Sequence, residues 1–402
     1  MTVVSENLLQ PMTMVDILAQ ATRASDMVSA VRSAMLAPTA KKVSPTYNQT
    51  EVATLCGMDR GPFAYRMKND ERRVLPEGVA KPDRRGKEFT LAEARTWVKD
   101  VRKDKLRPAG AEAVVISIAN FKGGVGKSTT AMALAQGLSL LGHKILIIDA
   151  DPQGSLTTLT GLLPDLDVED KDTFMLLVSG EEESIRYAIR PTYWDGIDLV
   201  AAAPLLFSIE FTLPSRQVRE EGFEFWNVLN LGIDDVREDY DVIIIDTAPA
   251  LSYGTVNALM ASNGIIMPLP PNALDFASGA QFWSLFADLT ESLSSSGQLS
   301  KTYDFINVLL SRVESDAASA MVRKWIISTY GDKVLPVEIP KTVVTSTSSA
   351  EFATVYDISR YDGSARTYKR AREAYDSLVD YVEKLVQAIW LRDSSIRQSG
   401  FK

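Results

Sequence analysis

The chain has 402 residues, 46% of them apolar, with one cysteine, one histidine and a formal net charge of −9. The length suits two or three domains. The lone Cys56 excludes internal disulfides and cysteine-built cluster sites, the lone His143 excludes a His-rich metal site, and no apolar run approaches the roughly 20 residues of a membrane span. Glu6, Gln10 and Asp16 interrupt the start of the chain, so it reads as cytosolic rather than secreted.

The charge is uneven. Residues 41–107 hold 17 Lys/Arg against 10 Asp/Glu, a local balance of +7, which leaves −16 on the remainder. Such asymmetry points to a basic nucleic-acid module joined to an acidic one.

The first 37 residues repeat Met14, Ile17, Leu18, Ala21, Val28, Val31 and Met35 at helical spacing. A single helix is too short to bury a core, so it is expected to pack on another chain or on the following domain. Pro38 and Pro45 bracket a linker. Next, a helix is expected from about Gln49 to Leu55, stopped by Gly57, and a second begins after Asp59 as N-cap. Two short helices around a glycine turn, the second rich in Arg and Lys, make a helix-turn-helix candidate. Arg60, Tyr65, Arg66 and Lys68 would face a DNA groove. The proline-containing stretch from Arg72 to Lys87 reads as a wing, with Arg84, Arg85 and Lys87 on phosphates. Thr90 and Glu93 make a capping box for a third helix. The competing reading of this region is a small helical bundle that contacts protein. Pro108-Ala-Gly-Ala is the linker out of it.

Residues 113–130 organise the rest. Val114–Ala119 is an apolar strand, a glycine-rich turn follows, and a helix starts near Lys127. Gly123, Gly124 and Gly126 allow a sharp turn whose bare N–H groups, with those of Val125 and Thr129, can bind phosphate oxygens at a helix N-terminus. Lys127 would reach the β- and γ-phosphates, and the Ser128 hydroxyl would ligate Mg²⁺. The first glycine of the usual G-x-x-x-x-G-K-[ST] pattern is replaced by Phe121, and Lys122 directly precedes the glycine pair.

Strand and helix patterns then alternate, the signature of a doubly wound α/β sheet. The strand from Lys144 ends in Asp149 and Asp151, expected to project to opposite faces at its tip, where such sheets bind ligands. Residues 160–196 are polar, 196–202 form a strand, and 205–238 are helical. Asp241-Val-Ile-Ile-Ile-Asp246 is a strand ending in a carboxylate suited to hold Mg²⁺ through a water. Strands at 264–269 and 303–313 follow, the second with Asn307 and Arg312 towards its end. The tail from Arg366 to Trp390 is an amphipathic helix with a Leu378, Val382, Leu385 and Ile389 stripe, read as a core helix rather than a membrane anchor.

Lys122-Gly-Gly-Val-Gly-Lys-Ser128 resembles the deviant Walker A motif of the ParA/MinD family of dimeric ATPases. The resemblance implies ATP/ADP and Mg²⁺ as ligands. It also implies a homodimer in which Lys122 reaches the partner's nucleotide. Asp149-Ala-Asp-Pro-Gln153 matches the family's Asp-x-Asp-Pro-Gln motif, which gives Asp151 the role of positioning the attacking water. Thr247, Ala248 and Pro249 would sense the γ-phosphate, and Val334–Pro340, with Pro336, would wall the adenine. A phosphate loop placed after more than one hundred residues resembles the larger plasmid-partition type. That likeness implies an N-terminal dimerisation helix (1–40), a winged helix-turn-helix (41–108) that binds its own operator, and the ATPase domain (109–402). A partition function would add nonspecific DNA binding, with Arg312, Arg323, Lys324 and Lys341 as candidates, and a ParB-type centromere-binding partner. The alternatives are a membrane-cycling positioning ATPase and a plain nucleotide-regulated repressor. A reductase or cluster carrier of this fold would need paired cysteines in the ATPase domain.

Overall fold

A computed structural model describes residues 12–36, 42–70, 74–80, 86–295, 301–342, 353–358 and 364–399. Contacts divide the chain into Met1–Val43 and Ser44–Lys402. The first unit holds one long helix, α1 (Met14–Leu36). Its Met14, Val15, Leu18, Met27 and Val28 are exposed.

The second unit opens with β1 (Tyr47–Asn48), α2 (Gln49–Leu55) and α3 (Arg60–Lys68). Asn48 caps α2 in a full capping box with Glu51, a signal the sequence carried beyond the expected helix start. Asp59 stands at the N-cap of α3 with extended backbone, but its side chain makes no capping bond. β2 (Val79–Ala80) and β3 (Lys87–Phe89) pair antiparallel, and β1 completes a three-stranded sheet in the order β1-β3-β2. α4 (Leu91–Val101) follows with the expected Thr90–Glu93 box. Arg84 and Arg85 lie outside the described residues.

The main sheet contains β4 (Val114–Ile118), β5 (Ile145–Ala150), β6 (Arg190–Pro191), β7 (Ile197–Val200), β8 (Val242–Thr247), β9 (Gly264–Leu269), β10 (Phe305–Val313) and β11 (Val334–Pro340). Its order is β11-β10-β9-β4-β8-β5-β7-β6, parallel except for β6. Every residue of β4, β5, β8 and β9 is buried, as expected for strands covered on both faces. Along β4, Ile116 and Ile118 pack on one face and Val115 on the other.

The first face is covered by α5 (Lys127–Leu140) and by the C-terminal helix, α13 (Ala365–Ser399). α6 (Ser155–Leu159) lies on the same side, its Leu156 and Leu159 in the cluster of α5 and α13. The opposite side carries α7 (Met175–Ser179), α8 (Ile209–Arg219), α9 (Val228–Gly232), α10 (Tyr253–Ala261), α11 (Ala273–Ser295) and α12 (Ala317–Tyr330). α5 and α13 approach closely at Gly137, where a Cβ would lie 2.2 Å from a Val379 methyl. Leu378 and Val382 of the predicted tail stripe are buried in this contact, so the stripe is core. No helix among the described residues is long and apolar enough to cross a membrane.

The basic segment shares this core. Phe63, Trp97 and Val98 belong to the same apolar cluster as α5 and α13, and the Phe63 and Trp97 rings sit 4.5 Å apart. Three arginines act as struts. Arg95 is 3% exposed, donates to the Ser139 carbonyl at 2.9 Å and the His143 carbonyl at 2.8 Å, and pairs with Asp195. Arg102 clamps both oxygens of Glu383 on α13 at 2.9 and 2.7 Å. Arg107 donates to Asp241 at 2.9 Å.

Candidate functional site

A cleft of about 660 Å³ opens at the C-terminal tips of the central strands. Its floor is the loop joining β4 to α5. Gly126, with φ 96°, is the N-cap of α5, a left-handed conformation open to glycine at no steric cost. A Cβ at Gly123 or Gly126 would meet nothing within 4 Å, so the cradle is open towards a ligand. All seven residues from Gly123 to Thr129 line it. α5 begins there, so its first N–H groups and its dipole favour an anion.

The charges are arranged for such a ligand. Lys127 lines the cleft, and its ammonium donates to the Lys122 carbonyl at 3.0 Å. Burial lowers its pKa, opposed by Asp246 and Asp151. Both oxygens of Asp246, near the end of β8, are buried without a well-formed hydrogen bond, the nearby donor being the Ser128 hydroxyl. Burial pushes this carboxyl well above the ordinary range, with Asp149 adding to the shift and the Ser128 hydroxyl and Lys127 opposing it. An orphaned carboxylate beside a serine hydroxyl is an oxygen-donor pair suited to Mg²⁺, which usually takes one or two protein oxygens and completes its shell with water and phosphate.

Asp149 and Asp151 have different surroundings at the tip of β5, but not through strand alternation: residues two apart share a strand face, and the two acids part because β5 ends at Ala150. Asp149 turns inward and accepts from the Thr157 N–H and hydroxyl, both at 2.8 Å; burial pushes its pKa up to about 7. Asp151 lines the cleft, accepts the Gln153 N–H at 3.0 Å, and is raised by burial. Pro249 lines the cleft too, and Thr247 donates to the Ile118 carbonyl at 3.0 Å, tying β8 to β4 just ahead of the loop. Lys122 is ion-paired with Asp275 at the start of α11.

The far wall differs from expectation. Ile339, Pro340 and Lys341 at the tip of β11 line the cleft, whereas Pro336 lies mid-strand, exposed and away from it. Of the segment expected to wall the adenine, only the end reaches the crevice, because the rest of a parallel strand runs inside the sheet. Arg312, expected on a DNA surface, also lines the cleft and is hydrogen-bonded to the Gly124 carbonyl. It has φ 51°, the one positive-φ non-glycine among the described residues. Strain of that kind is common at ligand sites. Ser311 donates to the Val125 carbonyl at 2.9 Å, so β10 braces the loop twice. Neither brace has a sequence signature.

The remaining basic candidates divide. Arg66 pairs with Asp100, Lys87 with Glu77 at 3.1 Å, Arg323 with Glu338, and Lys341 with Glu314 at 2.7 Å. Arg60, Lys68 and Lys324 are exposed and carry no ion pair among the described residues.

A mostly parallel sheet with a glycine cradle at the tip of its central strand, a buried lysine and a buried strand-end carboxylate defines a P-loop nucleoside-triphosphate-binding protein. A family profile described as an AAA domain matches residues 113–299. A Rhizobium rhizogenes protein provisionally named replication protein A is 33% identical over 291 residues, 71% of this chain and 72% of that one. The chromosome partitioning protein ParA of Caulobacter vibrioides is 30% identical over 268 residues, 64% of this chain and 92% of that one. Among solved structures, one titled Partition Protein superposes with a TM-score of 0.62 at 20% identity, covering 92% of this chain and 98% of that one. Cobyrinic acid a,c-diamide synthase from Mycobacterium smegmatis, with bound ATP analog and magnesium, gives a TM-score of 0.51 at 26% identity over 67% of this chain and 93% of that one. The chain belongs to the ParA family of partition ATPases.

Proposed function

We propose that this protein hydrolyses ATP to drive DNA partition, and that it binds ATP or ADP with Mg²⁺ in the cleft described above. The observation that carries the reading is the buried Asp246, with no well-formed hydrogen bond, set beside Lys127 and the open cradle. Mg²⁺ would be held by Ser128 and, through water, by Asp246, and would neutralise charge on the β- and γ-phosphates. Lys127 and the loop N–H groups bind and orient the triphosphate, and Asp151 orients the attacking water. In phosphoryl transfer, positioning and charge stabilisation supply most of the rate.

The finer reading is a nucleotide-dependent cycle. ATP closes a homodimer in which Lys122 leaves Asp275 for the partner's nucleotide. The dimer binds DNA without sequence preference on the nucleoid, and a ParB-type protein at the centromere stimulates hydrolysis. The segment from Ser44 to Arg107 acts as a winged helix-turn-helix on the operator, supported by its two short helices, its small antiparallel sheet and the unpaired Arg60 and Lys68 on the exposed side of α3. Of the alternatives, membrane cycling is disfavoured by the buried stripe of α13.

Two substitutions test the reading. Lys127→Ala should weaken MgATP binding by about 100-fold, the value of a lost charge-assisted contact. Lys122→Ala should keep ATP affinity and lose ATP-dependent dimerisation, read by light scattering. Equal loss of affinity in both would refute a trans role for Lys122.

A further inference from the structure

The cleft is lined in two ways. The loop, Lys127 and Asp151 supply its polar lining. Leu159, Ile339 and Tyr375, which share one apolar cluster, and the neighbouring Pro340 supply an apolar one. Tyr375 comes from α13, far along the chain from every phosphate-binding residue. It lines the cleft and is otherwise enclosed, at 4% exposure, so the part it leaves open faces the cleft.

Buried tyrosine hydroxyls usually have a partner. The neighbours of Tyr375 obey this rule. Tyr356 donates to Asp376 at 2.8 Å, and Tyr368 donates to the Val355 carbonyl at 3.2 Å. The Tyr375 hydroxyl has no such partner among the described residues. Burial alone raises its pKa, with no hydrogen bond or charge contributing. Nor is it sealed into the core as an orphan, as the Tyr330 hydroxyl is. A rigid ring, held on a helix that packs tightly at Gly137, thus brings one unused donor–acceptor group to the apolar lining of a nucleotide-sized cleft.

We propose that the Tyr375 hydroxyl hydrogen-bonds the edge of the nucleotide base while Ile339 and Pro340 pack on its face. This rests on the reading that the cleft binds a nucleoside triphosphate by its phosphates. A hydroxyl can donate to a ring nitrogen of adenine or accept from its exocyclic amine. The base is then sensed by the same helix that grips Arg102 through Glu383, two turns further along.

The test compares a ligand with a base against one without. Affinities of the full chain for MgATP and for magnesium tripolyphosphate are measured by calorimetry, in wild type and in Tyr375→Phe, which keeps the ring. The expected result is a fivefold to tenfold loss for ATP, the range of one net hydrogen bond of about 1 kcal/mol, with tripolyphosphate unchanged. Purine riboside triphosphate, which lacks the amine, should lose less than ATP if the amine is the partner and as much if a ring nitrogen is. An unchanged ATP affinity overturns the proposal, and so does an equal loss for tripolyphosphate, which would mark Tyr375 as a packing residue. If wild type bound neither ligand, the nucleotide reading itself would fall.

Discussion

The cleft and the basic N-terminal segment handle charge in opposite ways. In the cleft, Asp246 and Lys127 lack a salt-bridge partner among the described residues. Asp246 is buried without a well-formed hydrogen bond, and Lys127 is buried with its pKa lowered by the loss of water. In the segment before residue 108, many cations are satisfied internally. Arg66, Arg95, Arg102 and Arg107 each hold a carboxylate. The difference separates a surface that waits for a ligand from one that fastens two parts of a fold. A net charge of +7 counts both kinds alike, so it overstates the charge available to DNA.

Breaking a fastening contact should have the largest effect. Arg102→Ala leaves Glu383 buried without its bidentate partner, and removing one half of a buried pair costs about 3 kcal/mol or more. Chemical denaturation should show that loss, while the folded protein keeps its affinity for nucleotide. A variant as stable as wild type would mean that Arg102 is not a strut.

Asp246→Asn should do the reverse. A carboxyl whose folded pKa lies above its unfolded value loses stability as pH rises past the unfolded value, so wild type carries that cost at pH near 8. The amide does not ionise. Without ligand, the variant should melt at or above the wild-type temperature, yet its ATP affinity should no longer depend on Mg²⁺. A lower melting temperature would show that the carboxylate is stabilised in the free protein.

The two unpaired cations of α3 sharpen the contrast from the other side. Combined Arg60→Ala and Lys68→Ala should change stability by no more than about 0.5 kcal/mol, as is usual for exposed sites. Operator binding should weaken and its salt dependence should become shallower by about two charges, measured by titration at several salt concentrations. Unchanged DNA affinity would turn the segment back into a packing module.

The smallest effect is expected at His143. Its Nε2 lies 2.8 Å from Glu383, and its Nδ1 lies 3.6 Å from Asp241. Burial pulls its pKa down, but the two carboxylates outweigh burial and hold it above the ordinary value. A raised folded pKa means that the stabilisation is whole below the unfolded value of about 6.5 and fades as pH rises through the folded one. Asp149, raised to about 7, slopes the same way, so the comparison must be between wild type and His143→Gln. Their stability difference should shrink as pH rises from about 6 to 8. A constant difference would show that the proton plays no part.

Much of this protein is written locally. The Val/Ile runs of β4, β5 and β8 read as buried parallel strands because both faces are covered, and the glycine cradle, Lys127, Asp151 and Asp246 sit at strand tips because motif residues lie within a few positions of the strands that aim them. The Thr90–Glu93 capping box is equally local. Other features depend on groups far apart in sequence. Arg312 reaches the cradle across a separation of 188 residues, Arg102 meets Glu383 across 281, and Tyr375 enters the cleft only because α13 folds back over α5. Pro336 shows the same limit, since which residue of a motif-bearing strand touches the ligand depends on where the strand ends against its neighbour. Spacing along a chain specifies what one element presents. Whether a charge is free or paired depends on which distant element packs against it, and that is decided by the tertiary fold.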